Sequence, residues 1–542
     1  MPESPPPTPV PSPEPPLPPP GVMTLVEDIF ENDALPVLEE YTRIPCLSPD
    51  FDPEWSAHGH IQRAAELLRV WSAARPIRGL SVELLELPGL TPVIVAEIPA
   101  TSAASAGPGD PTAHTPGASA GPGDPTAHTP GTDAGAGDDP LTLLYGHLDK
   151  QPPLGKWREG LHPFQPVREG DRLYGRGTAD DGYSVFAALG AVQAAEEAGL
   201  GHGHCLILIE ASEESGSPHL PEYLEALSDR LGPSGPALVV CLDSGCLTYD
   251  RLWTTTSLRG LVSAEIRVDV LTEGVHSGRA GGVVPSSFRI LRQLLSRLED
   301  QTNGEILLSE FNVSIPRSRL EEAEALVSSH GAEALDRFPV VPGLRTGPGD
   351  GRRLGGTTAP ADPQLARDES QMELVKAIVA RTWQPSLAFV GIDGVPSMRD
   401  GGNVLRPFTA GSMAIRVPPS ADAGRAAAQL IEVIGTDPPQ GARVTVEATG
   451  ESGFDAPETA GWLADATRQA SLAYFGQPAA AVGEGGTIPF LSQLQKKYPA
   501  AQFLVTGVLG PDSNAHGPNE MLHVPTAKRV TASVAHVLSQ VR

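Results

Sequence analysis

The sequence predicts an α/β fold, in which a mixed central sheet is wrapped by helices and interrupted by an inserted α+β sandwich of ferredoxin-like type. Three observations predict it. Apolar segments of strand length alternate with segments of helical period up to residue 257. Acidic and histidine-bearing clusters follow those strand-length segments, where ligands gather at the carboxyl edge of open α/β sheets. Between 258 and 450 the order becomes strand–helix–strand–helix–strand, which suits a small sandwich with one sheet face covered by two helices.

The elements follow in chain order. Residues 1–21 are almost all Pro, Glu and Ser and carry no apolar period, so a disordered tail is expected. Residues 24–43 and 60–74 space Leu, Ile, Val and Trp as helices do. Leu80–Leu87 and Pro92–Ile98 alternate as strands. Residues 101–139 are Gly, Ala, Pro, Thr and Asp, and a 14-residue unit at 104–117 is copied at 118–131. Such a segment has nothing to bury, so a flexible loop at a hairpin tip is expected. Leu141–Tyr145, Cys205–Ile209 and Ala237–Leu242 read as buried strands, with an Ala-rich helix over 183–198.

Inside the insertion, Leu261–Val270 alternates with period two. Pro285 opens a helix whose Phe288, Leu291, Leu294, Leu295 and Leu298 share a face. A strand at Ala410–Val417, a helix over 421–434 and a strand at Ala442–Ala448 complete the sandwich, and a Gly/Pro-rich loop spans 345–370. A helix near 459–475 and a strand at Ala501–Thr506 return to the first unit. The expected organisation is therefore 22–257 and 451–542 as two halves of one domain, with 258–450 inserted between them.

Composition excludes several classes. There are 39 basic against 66 acidic residues, a net charge of −27, which argues against a nucleic-acid or anionic-membrane partner. No apolar run is long enough to span a bilayer. Residues 1–21 lack the basic start and apolar centre of a signal peptide. The four cysteines (Cys46, Cys205, Cys241, Cys246) form no CxxC pair, so a reducing cytoplasm is the expected location.

Chemistry concentrates in short clusters: Gly146-His147-Leu-Asp149, Ala179-Asp180-Asp181-Gly182, Glu213-Glu214-Ser-Gly, Leu242-Asp243-Ser and Ala515-His516-Gly-Pro-Asn-Glu520. Each is weak alone. A histidine at a strand end is often only hydrogen-bonded, Asp-Asp-Gly is a common turn, and Glu-Glu often begins a solvated helix. Their order is the stronger signal. Asp180 stands 33 residues after His147, and Glu214 stands 34 after Asp180, with helix and strand filling each interval. Two imidazoles, two aspartates and a glutamate, with a spare glutamate beside them, suit a pair of divalent cations sharing a water. Calcium prefers an all-oxygen shell and is disfavoured by the histidines.

Taken with Tyr174-Gly-Arg-Gly-Thr-Ala-Asp180-Asp181-Gly, His276-Ser-Gly and Gly485-Gly-Thr-Ile-Pro, these motifs resemble the dinuclear zinc peptidases. That family contains carnosinase, cytosolic nonspecific dipeptidase, aminoacylase and succinyl-diaminopimelate desuccinylase. The resemblance covers nearly all of 24–542 apart from the Pro/Gly insertions. It is nearest to the carnosinase-like dipeptidases, through Trp157, Pro163-Phe164, Leu173-Tyr-Gly-Arg-Gly and Pro385-Ser-Leu-Ala-Phe-Val-Gly-Ile-Asp-Gly.

The resemblance implies a zinc-peptidase-like catalytic domain with a lid and dimerisation domain inserted in it. It implies two divalent metals, Zn2+ first, with Mn2+ or Co2+ as alternatives. One would be held by His147, Asp180 and Asp243, the other by Asp180, Glu214 and His516. Asp149 would orient His147 through its second ring nitrogen. Glu213 would be the general base and acid, moving a proton from the water shared by the metals to the leaving amine. His276 resembles the histidine that reaches into the partner subunit's site to stabilise an oxyanion, which makes a homodimer the expected assembly. Arg416 with Gly485, Gly486 and Thr487 resembles the clamp for the substrate's C-terminal carboxylate. His523 is expected to be structural.

The implied activity is hydrolysis of dipeptides or short peptides, with removal of an acyl group from an N-acyl amino acid as the alternative. Departures from the carnosinase-like pattern touch specificity rather than metal chemistry. Gly245 and Cys246 stand where a tyrosine is usual after Asp243, Phe454-Asp-Ala-Pro-Glu lacks a substrate-binding histidine, and Asp181-Gly-Tyr replaces Asp-Lys-Gly.

Overall fold

The computed structural model describes residues 21–102, 140–335 and 363–541, with isolated positions at 19, 340–342 and 344. Nearly all of the Pro-rich tail, both 14-residue copies and most of the 345–370 loop lie outside the described residues.

Six strands form the main sheet, in the order Ser81–Leu85, Val93–Ile98, His204–Glu210, Leu141–His147, Leu238–Cys241, Gln502–Val505. The last four are mutually parallel. The first two run antiparallel to their neighbours, so the sheet is mixed. Leu141–His147 is buried at every position, as a central parallel strand covered on both faces must be.

Helices Gly21–Ile29, His60–Ala73, Ser184–Glu197, Gly461–Tyr474 and Val524–Leu538 cover one face, packing on Leu144, Ile207, Ile209 and Val240. Leu220–Ala226 and Pro489–Lys497 cover the other, against Tyr145, Leu206 and Leu208. Alanines at 187, 188, 191, 194 and 195 are all buried on Ser184–Glu197. Small side chains let this helix lie close under the sheet and against its neighbours.

The 101–139 segment does not extend a hairpin, contrary to expectation. Val93–Ile98 and Leu141–His147 flank His204–Glu210 on opposite sides, so the insert joins two strands that are not paired with each other. A hairpin needs adjacent antiparallel strands, and the neighbour that intervenes here comes from far along the chain.

The second sheet has four antiparallel strands, Ser386–Asp393, Phe408–Val417, Gly260–Asp269 and Arg443–Glu451, in that order. Helices Ser287–Leu295 and Ala423–Gly435 cover one face, around Val262, Ile266, Leu291, Leu294, Ile415 and Leu430. Ser286 and Asp422 cap them by accepting from Arg289 and Arg425 N–H. Phe288 departs from the expected apolar face and is 44 % exposed. It sits roughly 110° round the helix from the centre of the Ile290–Leu291–Leu294 stripe.

Two further helices were not legible in the sequence. Arg317–His330 and Pro363–Trp383 pack on Trp253 and Val482, tying the inserted unit to the first. The second starts inside the span expected to be loop as far as 370. Its proline lies at the helix start, where a missing N–H costs nothing.

The chain enters the inserted sheet after Leu258 and leaves it at Glu451. Gly260 permits the close crossing there: a Cβ on it would lie 2.5 Å from the Glu451 carbonyl oxygen.

Candidate metal centre and substrate cavity

The four parallel strands deliver the acidic clusters to one edge. His147 is the last residue of its strand, Glu213 and Glu214 follow His204–Glu210, Asp243 follows Leu238–Cys241, and His516 lies on the loop after Gln502–Val505. Asp180 precedes the Ser184–Glu197 helix. The structure brings these six residues together, as the sequence motifs require.

His147 is 1 % exposed, and its Nε2 has no hydrogen-bond partner among the described residues. That nitrogen faces Asp180 Oδ1 at 3.3 Å, Asp243 Oδ2 at 3.8 Å and Glu213 Oε2 at 3.9 Å. His516 Nε2 lies 3.0 Å from Asp180 Oδ2 and 3.2 Å from Glu214 Oε2. Asp180 therefore turns one oxygen to each imidazole. Among the described residues two overlapping groups have metal-ligand spacing: His147, Glu213 and Asp243, and His147, Asp180 and Glu214. Glu213, expected as a base and not as a ligand, is thus itself a member of the first group.

Asp149 supports this cluster from beneath. Its Oδ1 lies 3.4 Å from His147 Nδ1, its own carbonyl is at 3.2 Å, and its two oxygens accept from the N–H groups of Glu213 and Glu214. It thus fixes the imidazole and both glutamates at once, more than the sequence implied. Asp181 accepts from the His147 N–H at 3.1 Å. Gln151 donates to Glu214 Oε2 at 2.7 Å; its only signal in the sequence was its place two residues beyond Asp149.

The electrostatics call for cations. Burial, then the charge of Asp243, pushes Glu213 well above the usual carboxylate range. Burial pushes Asp243 up to about 7. Burial opposes protonation of His516, yet hydrogen bonds to Asp180 and Glu214 outweigh it and carry the imidazole up to about 11. Burial also works against ionised Asp180, but His147 and His516 on either side of it hold its carboxyl below the usual range. Without cations, these buried acids must hold protons to stay together. An orphaned imidazole nitrogen, two bridging oxygens and a surplus of buried carboxylates fit two divalent cations.

A cavity of about 1100 Å3 opens from this cluster. Asp180, Glu213, Asp243 and His516 line one part, and Glu484, Gly486 and Thr487 line another. Arg416 donates to Thr487 Oγ1 at 2.8 Å, and Thr487 donates to the Arg259 carbonyl at 2.7 Å. Gly485 lies behind this rim: a Cβ there would approach Arg259 Nη2 to 3.1 Å. Burial, reinforced by Arg416 and Arg381, lowers Arg259 to about 10, so positive charge is concentrated at this end. Gly245 and Cys246 line the cavity, and Arg381, Glu333 and Leu335 join them from the unforeseen helical region.

His276 is not in the cluster. It is exposed, and its Nδ1 accepts from the Gly278 N–H. His523 stacks on Tyr249 at 4.1 Å and faces Thr526 Oγ1 at 2.7 Å, away from the ligand cluster.

A mixed α/β sheet with a two-cation acid–histidine cluster at its carboxyl edge, plus an inserted sandwich, defines a metal-dependent hydrolase. Residues 143–540 match the model of peptidase family M20/M25/M40, and the chain belongs to that family. It is a metallopeptidase. It is 28 % identical over 397 residues to the cysteinylglycine-S-conjugate dipeptidase of Corynebacterium striatum, covering 72 % of this chain and 80 % of that one. The fold is similar to the di-peptidase Dug1p of Saccharomyces cerevisiae, with a TM-score of 0.66 and 19 % identity over 96 % of this chain and 98 % of the other. It is also similar to human carnosine dipeptidase 1, with a TM-score of 0.65 and 20 % identity over 97 % of this chain and all of the other.

Proposed function

We propose that the chain hydrolyses the peptide bond of dipeptides or short peptides with a free C-terminal carboxylate. One observation carries this reading: a single cavity joins the acid–histidine cluster to Thr487, which Arg416 holds. A scissile bond at one end and a carboxylate at the other then fit one small molecule. The dipeptidase names of the relatives favour a peptide over an N-acyl amino acid.

His147, Asp180 and Asp243 would hold one cation, and Asp180, Glu214 and His516 the other. Bound there, two divalent cations acidify a water and polarise a carbonyl. The chain's own groups do the rest. Glu213 lies against the cluster with its carboxyl pushed up by burial, so it can take a proton and return it to the leaving amine. Asp149 holds the His147 ring and the Glu213 and Glu214 backbones in place. Arg416, Thr487 and the Gly485–Gly486 backbone receive the substrate's carboxylate.

The domain limits 22–257, 258–450 and 451–542 remain our reading, with the inserted unit as lid. We read the assembly as a homodimer formed by that unit. Its sheet ends in an edge strand, Ser386–Asp393, that exposes Phe389, Val390 and Ile392. Exposed apolar edges of this kind invite a partner strand. Among the described residues no helix is long and apolar enough to cross a membrane, and the four cysteines are free and buried, which supports the cytoplasmic reading.

The test is a panel of dipeptides and N-acyl amino acids, assayed after chelation and again after adding Zn2+, Mn2+ or Co2+. Dipeptides should be cleaved, chelation should abolish turnover, and one of the metals should restore it. Turnover that survives complete metal removal, or cleavage of N-acyl amino acids alone, overturns the reading.

A further inference from the structure

The His516 loop needs something outside itself to hold its shape. Asp512, Asn514, His516 and Asn519 all have φ between 49° and 66°. Non-glycine residues disfavour this left-handed region, and such strain persists only where the surroundings impose it. The His516 side chain is 54 % exposed, so packing does not impose it there.

The loop's buried attachment is an ion pair. Arg176 and Glu520 are 1 % and 0 % exposed, with Arg176 Nη1 2.6 Å from Glu520 Oε2. Arg176 lies four residues before Asp180, and Glu520 four residues after His516. Each reaches into the other's loop. Arg176 Nη2 donates to the Gly517 carbonyl, next to His516, at 2.8 Å. The same nitrogen donates to the Pro152 carbonyl at 3.2 Å, on the segment that follows His147 and Asp149. In return, Glu520 accepts from the backbone N–H groups of Gly177, Ala179 and Asp180 at 3.0 to 3.2 Å. The Gly175 N–H donates to the Glu520 carbonyl at 3.0 Å.

We infer that the Arg176–Glu520 pair is a positioning device that sets the distance between Asp180 and His516, and thereby builds the second cation site. The ion pair spans two loops 344 residues apart in sequence. Neither residue touches the cavity, so neither is catalytic. His147 and Asp243 stand at strand ends of the main sheet, so without the clamp the first site loses only the placement of Asp180, whereas the second loses that of Asp180 and His516 together. Loss of the clamp should therefore weaken the second cation more than the first. The inference rests on the two-cation reading of the site.

The experiment compares wild type with E520D, E520Q and the double variant R176M/E520L, titrating each metal-free protein with Zn2+ by calorimetry. E520D keeps the charge and withdraws it by one methylene. The double variant removes both buried charges together, which spares the fold the cost of an unpaired one, but it also removes the clamp. Wild type should bind two Zn2+ ions. Each folded variant should bind one ion at least about tenfold more weakly, with a clearly smaller loss of affinity for the other. In E520D, kcat should fall with KM nearly unchanged.

Two ions bound at wild-type affinity by any folded variant overturn the inference. So does parallel weakening of both ions, which would mark a general structural role. A wild type that binds fewer than two ions instead removes the two-cation reading itself.

Discussion

The carboxyl edge of the main sheet and the exposed face of the inserted sandwich carry the two halves of the proposed site, and they are built in opposite ways. At the edge, His147, Asp149, Asp180 and Asp243 are all at most 9 % exposed, and each touches another member of the cluster. On the sandwich, His276 is exposed on a two-residue strand paired with Val404–Leu405, away from the cluster, while Phe389, Val390 and Ile392 face outward. The first region is complete within one chain. The second has the composition of a surface awaiting a counterpart. Metal binding should therefore be a property of the monomer and turnover a property of the assembly.

The largest effects should come from the edge, where two neighbouring carboxylates are expected to fail differently. Asp180 offers one oxygen to each imidazole, so D180A should lose bound metal and all measurable turnover. Glu213 is held through its own N–H, which donates to Asp149, and E213Q preserves both that bond and the side chain's shape. It should keep the wild-type metal content while kcat falls about 10²–10⁴-fold, the contribution of a positioned proton carrier. Metal analysis beside steady-state kinetics separates the two. Full turnover in E213Q would remove Glu213 from the proton path, and normal metal in D180A would remove Asp180 from the bridge.

The next effect tests whether the sandwich face completes the site of a second copy. H276A and E213Q homodimers should each be inactive. Mixed with subunit exchange, they should regain at most about a quarter of wild-type activity, because random pairing makes half the dimers mixed and each has one intact site. Exchange shown by mass spectrometry without any return of activity would mean that His276 serves its own chain.

The same contrast explains what could be read from the sequence. Most of the proposed ligands were legible because they stand at or beyond the end of an apolar strand, and strand ends in a parallel sheet converge on one edge whatever the intervening loops do; Asp180, ahead of a helix, was legible from its Gly-flanked motif. Arg381, Glu333 and Leu335 were not legible as cavity residues. They arrive on or beside helices whose polar sequence and Gly/Pro-rich neighbourhood hide their period. The sheet order also escaped, because nothing local to Val93–Ile98 reveals that His204–Glu210 will slot in beside it. Glu520 was visible as part of a motif, yet its purpose depends on Arg176, a partner that only folding brings near.

The smallest effect concerns the tandem copies, which attach far from both halves of the site. The segment's flanks meet at the amino end of the His204–Glu210 strand: Ile98 pairs with Cys205, Thr101 with His202, and Leu141 with His204. The ligands lie at the other end of the same strand. Deleting 104–131 therefore leaves both attachment points and every cavity-lining residue in place. Shortening the connection about fourfold changes its closure cost by only ~1 kcal/mol, in the stabilising direction. The deletion variant should keep wild-type kcat and KM, with a melting temperature equal or a few degrees higher, as scanning calorimetry would show. A fall of tenfold in kcat/KM, or a clear drop in melting temperature, would mean that the copies pack against the folded chain and that their composition misleads.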